Sequence, residues 1–391
     1  MMNAIEKLQI LGPAAADECA EDVAIGGRKL PPPRTPRDLT RCVSHAVLPG
    51  GKRIPILKTL VSSACENDCR YCAFRSGRDV RRATFSPDEL ARLSDELWRS
   101  GLVKGVFLSS GLVGGGVHTQ DSIIATAELL RRKYHFSGYL HAKIMPGAQR
   151  AQVAETMRWA NRVSLNLEAP NANRLSTLAP RKGFSSDLLQ RLRWAHELAT
   201  ERSGSGRRPS LTTQFVVGAV GESDLELLLT SSYLYRELGL ARAYFSGFGP
   251  VPGTPLEDLP PIRARREHRL YQASFLLRDY AFDVEELPFG VEGDLPLDRD
   301  PKLAWAQTNL LERPVEVNTA DRRLLLRVPG IGPVTADRIV QARRKGRLTD
   351  ASHLRSIGIV VQRAMPFVLL DGHQVPHQLS LWTGSKPLGG I

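Results

Sequence analysis

Three of the five cysteines in this 391-residue chain fall within eight positions, in the run Ser63-Ala-Cys65-Glu-Asn-Asp-Cys69-Arg-Tyr-Cys72. Three thiolates on so short a loop can ligate three irons of a [4Fe–4S] cluster and leave the fourth iron without a protein ligand, where a substrate can chelate. Zinc is the competing metal. A structural zinc site takes four protein ligands, however, and His45 and His118 are distant in sequence. Inert core thiols are the third reading. An odd, small number of cysteines with no export signal does not make a disulfide scaffold.

A loop that binds a metal needs rigid elements beneath it. From residue 54 short apolar runs alternate with longer segments of helical period, the pattern of a parallel β/α architecture. Six strands are expected, at Ile54–Ser62, Gly105–Leu108, Gly138–Ile144, Arg162–Leu167, Leu211–Val217 and Arg242–Gly247. The helices are expected near Pro87–Ser100, Ser122–Tyr134, Ala148–Ala160, Ser185–Arg202, Glu222–Leu238 and Arg263–Tyr280. Ser86-Pro87-Asp88-Glu89 supplies an N-cap, a Pro at the first helical position and early acids. The cysteine loop then sits at the carboxyl end of the first strand, the catalytic face of β/α folds. His141 and Lys143 share one face of the third strand and are candidate catalytic groups, either facing substrate or, for Lys143, pairing with Glu168.

The domains expected are an N-terminal extension at 1–50, a barrel at 51–282, a linker rich in Pro, Asp and Glu at 283–316, a helical module at 317–371 and a tail at 372–391. Residues 203–209 read as a flexible loop. The composition, 42% hydrophobic and 24% charged with no long apolar run, describes a soluble cytoplasmic protein without a membrane segment. The formal net charge is +12. Residues 28–82 carry thirteen Lys/Arg against four Asp/Glu, and residues 318–365 carry ten against three. Two such basic segments read as footprints for nucleic acid or as ordinary solvated faces.

In the module, a Thr319 N-cap opens one helix, Pro329-Gly330-Ile331-Gly332-Pro333 breaks it and a second helix follows at once. Arg338, Arg343, Arg344, Lys345 and Arg347 surround the break.

With its aromatic residue directly before the last cysteine, Tyr71, the C-x₃-C-x₂-C run resembles the signature of the radical S-adenosylmethionine (SAM) superfamily, over roughly residues 54–260. The resemblance implies a partial (β/α)₆ barrel, a [4Fe–4S] cluster on Cys65, Cys69 and Cys72, SAM chelated to the open iron, and an external electron donor. It also implies cofactor contacts from Tyr71, from Ser109-Ser110-Gly111 (which lacks the acid usual there), from Asn166 and Glu168, from the strand-five glycines at Gly218, and from the Pro-Gly253-Thr-Pro turn.

The C-terminal turn resembles the helix-hairpin-helix family, which implies that Gly330, Ile331 and Gly332 offer backbone N–H groups to a DNA phosphate, with Arg338, Arg343, Arg344 and Lys345 around it. A hairpin used for RNA or protein contacts is the alternative. Together the two parts resemble a family of radical SAM proteins named for DNA modification or repair. That likeness implies no particular substrate. The function expected is radical chemistry on DNA. The alternatives are a radical enzyme acting on RNA or on a DNA-bound protein, and a non-enzymatic, metal-stabilised DNA-binding protein. Cys19 and Cys42 are left over, with Cys42 a candidate hydrogen-atom donor.

Overall fold

A computed structural model describes residues 2–15, 42–47, 53–201 and 208–374. The chain divides into two compact units, Met1–Tyr271 and Gln272–Ile391. Cys19, most of the 203–209 loop and nearly all of the tail lie outside the described residues.

The first unit opens with α1 (Ala4–Ala14), capped by Asn3 and Glu6 in a reciprocal box. Strand β1 (Val43–Val47) pairs antiparallel with β2 (Arg53–Leu60). From β2 the sheet is parallel throughout, in sequential order through β3 (Gly105–Ser109), β4 (Tyr139–Lys143), β5 (Arg162–Ser164), β6 (Ser210–Val217) and β7 (Arg242–Gly247). The helices between the parallel strands are α2 (Pro87–Arg99), α3 (Gly115–Arg132), α4 (Arg150–Trp159), α5 (Ala172–Leu178), α6 (Gln190–Glu201) and α7 (Asp224–Glu237), with α8 (Ala264–Asp279) after β7. This is the expected six-stranded β/α half-barrel, with β1 added on its open edge. The strands are buried on both faces: in β3 and β6 nearly every residue is below solvent.

The local chemistry follows the sequence. Ser86 caps α2 with Pro87 at its first position, and Ser223 caps α7 through Glu226. Helix α5, capped by Asn171, is not among those expected, and two further helices depart from expectation. Helix α3 starts seven residues early, at Gly115. Three glycines disfavour helix, but the Glu66 carboxylate accepts from the N–H groups of Gly114 at 2.6 Å and Gly115 at 3.3 Å. Gly116 is required for contact, because a Cβ there would lie 2.1 Å from the carbonyl of Pro146. The segment expected as one helix from Ser185 instead opens as a π-helical turn, Phe184–Leu189, before α6.

The second unit corrects the expected linker. Within 283–316 stand α9 (Pro301–Asn309), capped by Asp300, and β8 (Val315–Glu316). They share one core with α10 (Arg322–Leu325), α11 (Pro333–Ala342), α12 (Ala351–Ser356) and α13 (Val361–Ala364). Ala306, Leu310 and Val315 are buried in it, so the Pro- and acid-rich composition marks surface turns between elements that pack. The module is also not purely helical: β8 pairs with β9 (Val368–Leu370), and β9 with β10 (His373–Gln374). No helix among the described residues is long and apolar enough to cross a membrane.

Candidate active site at the barrel mouth

After β2 the chain leaves the sheet and returns at one point. Ser62 bridges Thr84, their hydroxyls 2.7 Å apart, and Ser63 N–H donates to Ala83 at 3.0 Å. Inside this closed loop, Arg82 donates to the carbonyls of Ser63, Phe74, Arg75 and Arg78 at 2.7–3.3 Å. Arg78 ties Ala73 to Pro252 of the 250–255 turn, and Arg75 donates to Asp68 at 3.2 Å. Several cations of the basic 28–82 segment are therefore committed to loop carbonyls rather than presented to a partner. Residues 28–41 and 48–52 of that segment lie outside the described residues.

The loop places Cys65, Cys69 and Cys72 in one pocket with Tyr71, Ser109, Ser110, Gly111, Asn166 and Glu168. Leu112 N–H donates to Cys65 Sγ and Phe74 N–H to Cys72 Sγ, each at 3.4 Å, the kind of contact that stabilises cluster thiolates. Burial pushes the Cys69 thiol pKa up and that of Cys72 up to about 12. Gly111 must be glycine, since a Cβ would lie 2.1 Å from the carbonyl of Ala64.

Among the described residues no three His, Cys, Asp or Glu side chains converge closely enough to hold a single ion. Tetrahedral zinc, with sulfur at about 2.3 Å, needs such convergence. Ligands to three separate irons stand further apart, so the donor set fits a cluster better than zinc. The pocket offers a second sign of a missing partner: Asn166 Oδ1 is buried without a hydrogen bond.

Opposite the cysteines, Glu168 is 3% exposed and takes a left-handed backbone, φ 67°, a strained conformation that clusters at functional sites. Tyr71 Oη donates to its carboxylate at 2.8 Å and Lys182 Nζ at 2.7 Å. Burial opposes the Lys182 charge, yet Cys69 and Glu168 hold its pKa above the ordinary lysine value. Burial, with Glu168 adding, keeps the Tyr71 phenol protonated. The partner of Glu168 is thus Lys182, and Lys143, though it lines the pocket, is not. Lys182 lies in Pro180-Arg-Lys-Gly183, a stretch without periodicity or motif, so no sequence signal marks it.

Other expected residues stand elsewhere. His141 is fully buried below the pocket, hydrogen-bonded to Ser164 at 2.8 Å. Burial, then Arg162, Lys143 and Lys58, hold it neutral, and it does not reach the pocket wall. Gly218 and Gly253 have positive φ as turns require, but Gly218 faces Ile262 and Gly253 faces Arg78. Neither lines the pocket. Cys42 is buried against Gly12 and donates to Leu8 at 3.5 Å, a packing role away from the cavity. The end of α1, which sequence gave no reason to place here, supplies Ala14 to the wall.

In the second unit the break between α10 and α11 stands where expected, although Asp321 rather than Thr319 caps α10, accepting from Leu324 N–H at 2.7 Å, and the glycines of the turn serve the fold. A Cβ on Gly330 would lie 2.7 Å from the Val360 carbonyl, and one on Gly332 would lie 3.3 Å from Tyr280 Oη. Ile331 is buried at 1%. Gly332 N–H is already bound to Thr335 Oγ1 at 2.7 Å. Arg343 donates to the carbonyls of Val317 and Ala320 and Arg338 to that of Ile357. Of the four expected phosphate-contacting cations, Arg338, Arg344 and Lys345 are exposed, the last two just beyond the end of α11.

Residues 59–230 match the radical SAM superfamily and residues 312–359 the helix-hairpin-helix motif. The chain therefore carries a domain of the radical SAM enzyme superfamily, whose cofactors are a [4Fe–4S] cluster and SAM, and a helix-hairpin-helix motif. A tRNA-2-methylthio-N(6)-dimethylallyladenosine synthase from Zymomonas mobilis is 31% identical over 121 residues, covering 28% of this chain and 26% of that protein. Among solved structures, methylornithine synthase (TM-score 0.46, 15% identity) covers 56% of this chain and 60% of its own. HydG, a maturase of the [FeFe]-hydrogenase (TM-score 0.45, 14% identity), covers 56% and 48%. The chain spans about a quarter of the curated relative and about half of these structures.

Proposed function

We propose that the chain cleaves SAM reductively at a [4Fe–4S] cluster held by Cys65, Cys69 and Cys72, and that it directs the chemistry at DNA, docked through the helix-hairpin-helix unit. The observation that carries the first half is the convergence of three thiols, two of them supported by backbone N–H groups, with the unsatisfied Asn166 Oδ1 in one pocket. A cluster held by Cys65, Cys69 and Cys72 would supply one electron to the sulfonium of SAM, for cleavage of its C5′–S bond into methionine and a 5′-deoxyadenosyl radical. The chain's own residues bind and shield. Asn166 offers its amide to the ribose hydroxyls. Lys182 and Tyr71 fix the Glu168 carboxylate beside it, and Leu60, Leu112, Met145 and Leu165 keep water and stray hydrogen donors out.

For the substrate, the support is the motif at 312–359 and the exposed Arg344 and Lys345, suited to salt-sensitive contacts that do not read sequence. A base in duplex DNA would have to leave the stack to reach the pocket. RNA is the second reading, favoured by the tRNA modification for which the Zymomonas mobilis relative is named.

The test is anaerobic: protein reconstituted with iron and sulfide receives SAM and a reductant, and 5′-deoxyadenosine is measured with DNA, RNA or neither. DNA is expected to raise product above basal level, and Arg344→Glu with Lys345→Glu to abolish that rise. Stimulation by RNA alone overturns the DNA assignment. Native protein that contains zinc and yields no product under any condition overturns the radical reading.

A further inference from the structure

Beside the hairpin turn, and sharing residues Gly330–Gly332 with it, the second unit has a depression whose other lining residues none of the assignments above uses. At its floor is Lys302 of α9, only 9% exposed. Its ammonium donates to the Ile331 carbonyl at 2.5 Å and lies 4.6 Å from the centre of the Tyr280 ring. Phe275 and Tyr280, the Gly330–Pro333 turn, Arg363 of α13 and the carboxylates of Asp279 and Asp300 form the walls. Arg363 holds Asp300 at 2.6 Å while half its side chain stays in solvent.

A lysine so buried ordinarily has a carboxylate against it. Of the two carboxylates that line the depression, Asp300 already caps α9 through Leu303 N–H at 2.8 Å and is bound to Arg363, and Asp279 is paired with Arg278 at 2.8 Å. Arg363 and Arg327 face Lys302 as further cations. Burial pushes the ammonium down to about 7, with Asp300 opposing and the two arginines adding. An anion entering the depression would relieve that imbalance, and charge-assisted hydrogen bonds to it would be strong.

The shape narrows the anion. An internal phosphodiester continues into the strand on both sides and stays at the rim, whereas a terminal phosphomonoester has one ester bond, can descend, and carries close to two charges. Phe275 and Tyr280 offer an apolar face beside it for the terminal sugar or base. We propose that this depression binds the terminal phosphate of a nucleic-acid strand, with Lys302 and Arg363 as its cations. The proposal rests on the nucleic-acid reading of this unit and gives it a preference for strand ends.

The test uses the full chain and one internally labelled DNA oligonucleotide, single-stranded and duplex, carrying a 5′-phosphate, a 3′-phosphate or hydroxyl ends. Affinity is read by fluorescence anisotropy. One phosphorylated end is expected to bind about tenfold tighter than hydroxyl ends, about 1.4 kcal/mol, and the 5′ and 3′ arms identify which end is taken. Lys302→Met is expected to bring the ratio of phosphorylated to hydroxyl affinity close to one, and Arg363→Gln, on the exposed rim, to reduce it even if Lys302→Met fails to fold. Equal affinity for all ends of the wild type overturns the proposal and leaves the nucleic-acid reading standing, as does a preference that survives both substitutions. Failure of every strand to bind overturns both.

Discussion

The Glu168–Lys182 pair is buried on both sides, with side chains 4% and 10% exposed. Removing one partner of such a pair strands the other charge. Lys182→Met is therefore expected to lower the stability of the metal-free protein by about 3–5 kcal/mol, and adding Glu168→Gln to recover much of it. Urea denaturation of the single and double variants measures both; a double variant no more stable than Lys182→Met would show that the lysine acts through packing alone. Asn166 predicts the opposite behaviour. Its buried, unsatisfied oxygen carries a penalty of about 1–3 kcal/mol, so Asn166→Leu is expected to leave the midpoint of thermal unfolding unchanged or raised. SAM binding to the reconstituted protein, followed by calorimetry, is expected to weaken in the same variant. These residues differ in how legible they were. The cysteines, Tyr71, Asn166 and Glu168 stand in spacings that only a few chemistries use. Lys182 and Arg82 act through one long side chain each, which can reach a site from any nearby loop, and no spacing rule records that.

At the scale of elements, the carboxyl ends of the strands are held by caps that also tie one helix to the next. Glu226 caps α7 and also receives Arg174 of α5, from Nε at 3.2 Å and Nη2 at 3.0 Å. The hydrogen bonds from Arg174 lower its pKa to about 2, with Ser223 and Asn171 contributing and burial opposing. A carboxyl depressed on folding stabilises the protein fully above its unfolded value, near 4.5, and that contribution is lost as pH falls through about 2. Wild type is thus expected to exceed Glu226→Gln by roughly 2 kcal/mol at neutral pH, allowing for solvent screening. The gap is expected to close between pH 4.5 and 2, measured by urea denaturation across that range. The six parallel strands were legible because short runs rich in apolar residues alternate with helical segments, even where, as in β4 and β5, polar residues interrupt the run. The early start of α3 was not, because its cap, Glu66, comes from the cysteine loop 48 residues before Gly114.

At the scale of the whole molecule, two cores sit on one chain, and the second has its own set of buried residues from Ala306 to Leu370. A substitution confined to one core is expected to move one calorimetric transition. Gly330 has φ 85° and a neighbouring carbonyl 2.7 Å from any added Cβ, so Gly330→Val is expected to lower the transition of the C-terminal unit by several degrees, a loss of about 1–3 kcal/mol. The barrel transition should stay in place; a common shift of both would show that the units unfold together. The barrel mouth has a modular character of another kind. The chain departs at Ser62 and returns at Thr84, and Arg82 gathers the interior carbonyls on one guanidinium. For protein engineering, residues 62–84 are therefore a graftable cassette: moved to another β/α scaffold, the three cysteines would bring their own arginine clamp, while a graft cut at Cys72 would leave it behind.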